Sequence, residues 1–389
     1  MNIAIMVPSL GGGGAEKVAK NLGDYYTEKG ENVYFFLLNS HLKDVYEVKG
    51  EKINTGLESI TSGFRGDMKA FFMRLIQMSL IIRKLKRKYH IDVSISFMEE
   101  CNYLNILSQR GEKVIVRICT ILSHRDDLNR YLYNKKIIHF FYSLPCKIVV
   151  MSRYAKKDMI NSYGVSPKKI TIIYNSVNIS KVPSHIIEKK NSKEKKVLTV
   201  GRLEPVKQQD RIIRSFSYVV DKIPSAKLII AGKGDNERYL RFVAKKMKIE
   251  KNVEFVGFCK NVWEKYGDAN CFVMASKVEG FGNSIIEAMV CGIPVVCTNS
   301  PGGVQDILGK VLREDDGYKL CQYGIKTNGF TSEKVDVCEK LSKEEENLGK
   351  AIVRMLIDEE IKDKYSRMSE NRSKKFESSR IYRHWTELF

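Results

Sequence analysis

Proline is scarce, 8 in 389 residues, while 43% of the chain is hydrophobic, a balance that excludes a disordered polypeptide. No run of about 18 apolar residues is free of charge, which excludes a membrane-spanning helix of ordinary length. The start, Met1 to Ser9, has neither a basic leader nor an apolar stretch long enough for a signal peptide, so a cytosolic protein that opens on a folded strand is expected. The nine Cys form no C-x-x-C pair and the six His show no zinc-ligand spacing. The cysteines are read as free and mostly buried. Acidic residues are outnumbered: 66 Lys+Arg against 46 Asp+Glu leave a formal charge of +20. That surplus calls for an anionic partner, whether nucleic acid, acidic lipid or a phosphate-bearing ligand. A nucleic-acid binder would interleave basic and aromatic residues on one face or carry a known module, and neither is visible.

At roughly 100–200 residues per domain the length favours two domains. Short apolar runs alternate with amphipathic helical segments. The strand candidates are Ile3–Val7, Val33–Leu38, Val93–Phe97, Lys113–Ile118 and Ile148–Met151, then Val197–Val200, Lys227–Ala231, Val253–Val256, Cys271–Ala275 and Ile293–Cys297. This alternation predicts two doubly wound α/β domains facing each other across a cleft. Residues 1–180 are assigned to the first domain, the polar stretch 181–196 to a linker, 197–370 to the second domain and 371–389 to a closing helix. Residues 312–341 read as an inserted loop.

In open α/β sheets ligands bind beyond the carboxyl ends of the strands. There the first strand is followed by Gly11-Gly12-Gly13-Gly14-Ala15-Glu16, which suits close approach of a phosphate to a helix start. It is not a dinucleotide fingerprint, because G-x-G-x-x-G requires glycine where Glu16 stands and the second strand ends Leu38-Asn39-Ser40 without an acidic residue. The second domain opens with Gly201-Arg202, and Lys207 follows at a helix start, so two cations can converge on one diphosphate. Ala231-Gly232 ends another strand in the same style.

The most informative segment runs from Ala275 to Pro294. Glu279 follows a strand, the amides around Phe281, Gly282, Asn283 and Ser284 open a helix, and Glu287 lies one turn into it. Ser284-x-x-Glu287 also reads as a capping box that needs no ligand.

The E-x7-E spacing of Glu279 and Glu287, the Gly201-Arg202-Leu203 start with Lys207, the Val253-Glu254-Phe255-Val256-Gly257 strand and the N-terminal glycine element together resemble family 4 glycosyltransferases of the GT-B fold, over roughly the whole chain. The resemblance implies two facing Rossmann-like domains with a C-terminal helix, Phe376 to Leu388, returning to the first. It implies transfer of a sugar, with retention of configuration and no metal or other cofactor, from a nucleotide-sugar, most often a uridine diphosphate sugar. The absence of an Asp-x-Asp motif agrees. On this resemblance Glu279 holds a donor sugar hydroxyl, Glu287 the ribose diol, Arg202 and Lys207 the departing diphosphate, and Gly14 touches the same diphosphate from the other domain. The donor set is Gly14, Gly232, Phe281, Gly282, Asn283, Ser284 and Glu287. Glu16, Arg117 and Thr120 are candidates toward the acceptor or another ligand group: Val116 to Thr120 stands where many relatives carry a histidine, and Arg117 or Thr120 is expected to contact donor or acceptor in its place. Nucleotide-sugar 2-epimerases share the architecture, but the acid/base groups they use find no place in this sequence.

Between Phe64 and His90 lies a basic amphipathic segment. Met68, Phe71, Phe72, Leu75, Ile76, Met78, Ile82 and Leu85 are expected on its apolar side, and Arg65, Lys69, Arg74, Arg83, Lys84, Lys86, Arg87 and Lys88 on the other. Such a helix can lie on an anionic membrane or meet a polyprenyl-diphosphate-linked saccharide acceptor. The expected location is therefore cytoplasmic, peripheral on the inner face of the membrane.

Overall fold

The computed structural model describes residues 1–39, 42–60, 62, 67–124, 132–188, 194–259, 261–332 and 337–389. Ser40, Arg65, the middle of the expected linker and residues 333–336 of the expected inserted loop lie outside the described residues. The chain divides into two units, Met1–Asn175 with Ile381–Phe389, and Ser176–Arg380.

The first unit is built on a seven-stranded sheet in the order Glu51–Asn54, Asn32–Leu37, Asn2–Val7, Val93–Phe97, Lys113–Ile118, Lys147–Val150, Ile170–Ile172, with every pair parallel. Parallel sheets are covered on both faces, which is why the central strands read as continuous apolar runs; Val93–Phe97 is buried along its whole length. The order reverses direction between Asn2–Val7 and Val93–Phe97, so the loops after these strands flank a topological switch point. Ile3, Ile5, Phe35, Ile95 and Phe97 form the core together with Ile381, Tyr382 and Trp385 of the last helix, Ser378–Thr386.

The second unit holds an eight-stranded sheet in the order Val253–Gly257, Lys227–Ala231, Lys196–Val200, Cys271–Met274, Val295–Thr298, Gly324–Thr327, Tyr318–Cys321, Val311–Glu314. The first six strands are parallel and the last two join antiparallel. Its switch point falls between Lys196–Val200 and Cys271–Met274. The helix Lys343–Ile357 covers this sheet, sealed at its start by reciprocal bonds between Ser342 and Glu345.

Three sequence expectations need correction. Residues 312–341 contain sheet strands, not simply an inserted loop. The strand Val311–Glu314 lies at the sheet edge, exposed throughout, so it carries no apolar pattern to announce it. The expected linker belongs with the second unit: Ser184–Glu188 is a short helix, and a side chain at Gly267 would come within 3.1 Å of Ile186. The closing segment returns to the first unit at Ile381 and not at 371, because Phe376 packs edge-to-face on Phe281 at 5.5 Å and Glu377 bridges Val177, all within the second unit. Cys101, Cys271, Cys291, Cys297 and Cys321 are buried, and Cys338 is exposed.

Candidate active site

At the switch point of the second unit the strand Lys196–Val200 delivers Gly201 and Arg202, and its neighbour Cys271–Met274 leads to Glu279. A short turn, Pro205–Lys207, brings Lys207 back, and its Nζ lies 2.6 Å from Glu279 Oε2. The two loops are also tied by their backbones, Lys277 N–H donating to the Val206 carbonyl at 2.8 Å. Arg202 extends into solvent and pairs with Glu204 at 2.7 Å.

Glu279 is held from several sides. Ser276 Oγ donates to the same Oε2 at 3.2 Å, and the Glu279 N–H donates to the Pro301 carbonyl at 3.0 Å. A Cβ on Gly302 (φ +129°) would fall 1.6 Å from the Glu279 carbonyl oxygen, so the Pro301-Gly302-Gly303 loop presses on the backbone that carries this carboxylate. Ser276 is fixed in turn by Ser300, whose hydroxyl donates to its carbonyl. Sequence reading missed Ser276 and the 300–303 loop; the Gly302-Gly303 pair after a proline was their signal.

The helix Asn283–Val290 begins with Gly282 at its N-cap (φ +108°). Ser284 is therefore inside the helix, and the capping-box reading of Ser284 with Glu287 fails. Instead the buried Tyr266 hydroxyl donates to Glu287 Oε2 at 3.1 Å and to the Ser284 carbonyl at 3.2 Å. Burial, reinforced by the negative charge of Glu287, pushes the Tyr266 pKa well above the ordinary tyrosine value. Tyr266 was likewise not foreseen. Phe281 is buried and packs on Phe376, so only its backbone faces the loop.

Gly232 acts by fit. Its N–H is taken by the Gly257 carbonyl at 2.8 Å, and a Cβ there would lie 1.8 Å from Gly201 O, so it allows the 201 and 232 loops to meet but offers no amide to a ligand.

In the first unit Ser9 Oγ donates to Glu16 Oε1 at 2.6 Å and the Gly13 N–H to Oε2 at 2.7 Å. Both carboxylate oxygens brace the glycine loop, which corrects the expectation that Glu16 faces an acceptor or another ligand group. Gly14, at the start of the helix Gly14–Glu28, has open space where a Cβ would be. Arg117 also departs from expectation. It is 1% exposed, with the rings of Phe97 and Trp385 at 5.9 and 5.3 Å from its guanidinium, and it donates to Asn175 Oδ1. Burial lowers its pKa. The returning C-terminal helix thus closes Arg117 off from donor and acceptor alike, whereas Thr120, just beyond the same strand, stays half-buried.

The basic segment forms the helix Met68–Lys88, capped by Asp67 accepting from Ala70 N at 2.8 Å. Its buried stripe is Phe71, Leu75, Met78, Ile82 and Lys86. Lys86 is therefore not a surface cation. Its Nζ lies 2.6 Å from Glu112 and 2.7 Å from Asn105 Oδ1, and burial outweighs the pull of Glu112, bringing its pKa down to about 8. Ile76, expected inside, is 51% exposed, and with Met73, Leu80 and Ile81 it forms an outward apolar patch. Arg83, Lys84, Arg87 and Lys88 are exposed at the C-terminal end, so the outward face is divided along the helix axis.

Among the described residues no group of three or more His, Cys, Asp or Glu could hold a metal ion, and no helix is long and apolar enough to cross a membrane.

Two Rossmann-like units, with paired charges at the carboxyl edge of the second, define a GT-B glycosyltransferase fold. Solved structures share it: Anabaena HepE in complex with UDP and glucose (TM-score 0.73, 16% identity, 99% of this chain and 98% of that one) and sucrose-phosphate synthase from Thermosynechococcus elongatus (TM-score 0.75, 17% identity, 100% and 98%). The Glycosyltransferase Family 4 model matches residues 12–181 and the Glycosyl transferases group 1 model residues 181–317. The chain belongs to the family 4 glycosyltransferases, enzymes that transfer a sugar. It is 29% identical over 335 residues, 84% of this chain and 89% of the relative, to the N-acetylgalactosamine-N,N'-diacetylbacillosaminyl-diphospho-undecaprenol 4-alpha-N-acetylgalactosaminyltransferase of Campylobacter jejuni. The poly(glycerol-phosphate) alpha-glucosyltransferase of Bacillus subtilis is 26% identical over 221 residues, 57% of this chain and 29% of that protein.

Proposed function

We propose that this enzyme moves a sugar from a uridine diphosphate sugar to a polyprenyl-diphosphate-linked saccharide, with retention of configuration and without a metal, at the cytoplasmic face of a membrane. The observation that carries the reading is the 2.6 Å approach of Lys207 to Glu279 at the switch point of the second unit. A cation and a carboxylate at that spacing match the two ends of the bond to be broken. Lys207, with Arg202, meets the diphosphate whose charge grows as the bond opens, and preorganised cations there contribute strongly to rate. Glu279 takes a hydroxyl of the donor sugar and orients its anomeric carbon, while Glu287, held by Tyr266, meets the ribose. The departing phosphate accepts the proton of the incoming hydroxyl, so no carboxylate nucleophile is required.

The lipid-linked acceptor is supported by the diphospho-undecaprenol acceptor for which the Campylobacter jejuni relative is named. The outward face of Met68–Lys88 supports membrane association: Met73, Ile76, Leu80 and Ile81 suit the acyl boundary, and the four cations beyond them suit anionic headgroups, at about 1 kcal/mol each.

A panel of nucleotide-sugars, assayed for nucleoside diphosphate release with and without lipid-linked acceptor extract, tests the activity. Release with a uridine diphosphate sugar that depends on the extract is expected; release from none of the panel would defeat the proposal. In flotation with anionic vesicles, Arg83, Lys84, Arg87 and Lys88 changed together to Glu should abolish binding, and unchanged flotation removes the membrane surface from the reading.

A further inference from the structure

The pairing of Lys207 with Glu279 also bears on which nucleotide stays bound. Each group is the other's partner, at 2.6 Å, and each is only partly accessible, with 23% and 17% of its side chain exposed. Any ligand that takes the Lys207 ammonium must pull it from Glu279, leaving the carboxylate in a confined place with Ser276 Oγ, at 3.2 Å, as its remaining side-chain donor among the described residues. The backbone that carries Glu279 is pinned between the Pro301 carbonyl and Gly302, so the carboxylate can move only by rotation of its own side chain, of which 17% is exposed.

Resting on the donor-site reading above, we infer that Glu279 is a specificity-determining residue that discriminates against free nucleoside diphosphate through competition for Lys207. A nucleotide-sugar replaces both halves of the broken pair: phosphate oxygens for the lysine, sugar hydroxyls for the glutamate. A nucleoside diphosphate replaces only the first and leaves the carboxylate unpaired beside an anion. After transfer, when the sugar has gone to the acceptor, re-formation of the pair favours departure of the nucleoside diphosphate. The residue that holds the donor sugar therefore also relieves product inhibition.

The test is a double-mutant cycle read by calorimetric titration with uridine diphosphate alone, on the wild type, Glu279→Gln, Lys207→Ala and the double variant. Glutamine keeps the shape of Glu279 and can receive a bond from Ser276, but it does not hold a lysine as an ion pair. The expected result is uridine diphosphate bound about tenfold more tightly by Glu279→Gln than by the wild type, the scale of one charge-assisted hydrogen bond released. That gain should vanish in the Lys207→Ala background. Equal affinity in the wild type and Glu279→Gln overturns the inference. So does a gain that persists without Lys207, which would mean simple repulsion between carboxylate and phosphate. If the folded wild type binds neither uridine diphosphate nor any uridine diphosphate sugar, the donor-site reading fails, and this inference with it.

Discussion

The lysine–glutamate pairs Lys86–Glu112 and Lys207–Glu279 have the same N···O distance, 2.6 Å, yet the first is fully buried while the second remains partly open. The buried pair joins the helix Met68–Lys88 to the segment before the strand Lys113–Ile118, and Asn105 completes the donor's needs through its carbonyl at 3.0 Å and its side chain at 2.7 Å. Nothing from solvent can compete for it. The open pair stands at the carboxyl edge of a sheet, where, on the proposed function, the donor takes over both charges. Burial, not distance, separates the two pairs: desolvation fixes the first, while the partly open second stays exchangeable.

The comparison can be broken at either end. Glu112→Ala leaves the Lys86 ammonium buried without its carboxylate, and denaturant unfolding should register a loss of about 3–5 kcal/mol while the turnover of the folded fraction is preserved. Lys207→Ala and Glu279→Ala should do the reverse. Each should lower kcat by about 10²–10³-fold with a nearly unchanged melting temperature, and wild-type rates in both would remove these residues from the site. The smallest effect concerns pH. Lys86 has a folded pKa of about 8, below its ordinary value, so the folded state holds fewer protons there than the unfolded state between pH 8 and the usual lysine range. Stability attributable to Lys86 should thus rise as pH increases through that window, and be lowest below it. Subtracting the profile of Lys86→Met from that of the wild type isolates the slope; a flat difference would show that Lys86 titrates as in the unfolded chain.

The parallel sheets could be read from the sequence because doubly buried strands leave apolar runs ending in glycine loops, as at Val7 and Val200. The Glu279–Glu287 spacing was equally plain. Lys86 was not recognised because charge counts along a helix conceal which face each cation occupies. Yet Phe71, Leu75, Met78 and Ile82 form a helical stripe, and Lys86 is its next member, four residues after Ile82. Its partner arrives from a distant loop, which periodicity cannot reveal. The same holds for Arg117, enclosed by Trp385 from the far end of the chain. The edge strand Val311–Glu314 is too exposed to carry a pattern.

Because Ile381–Phe389 belong to the first unit, that unit is not a continuous stretch of chain. Its sheet strands are synthesised before any of the second unit, but Trp385, which closes over Arg117, is synthesised only after all of it. The first core is therefore completed only after the second unit has been made, and a chain cut short before Ile381 would carry every residue of the proposed donor site on a molecule whose first unit lacks part of its core.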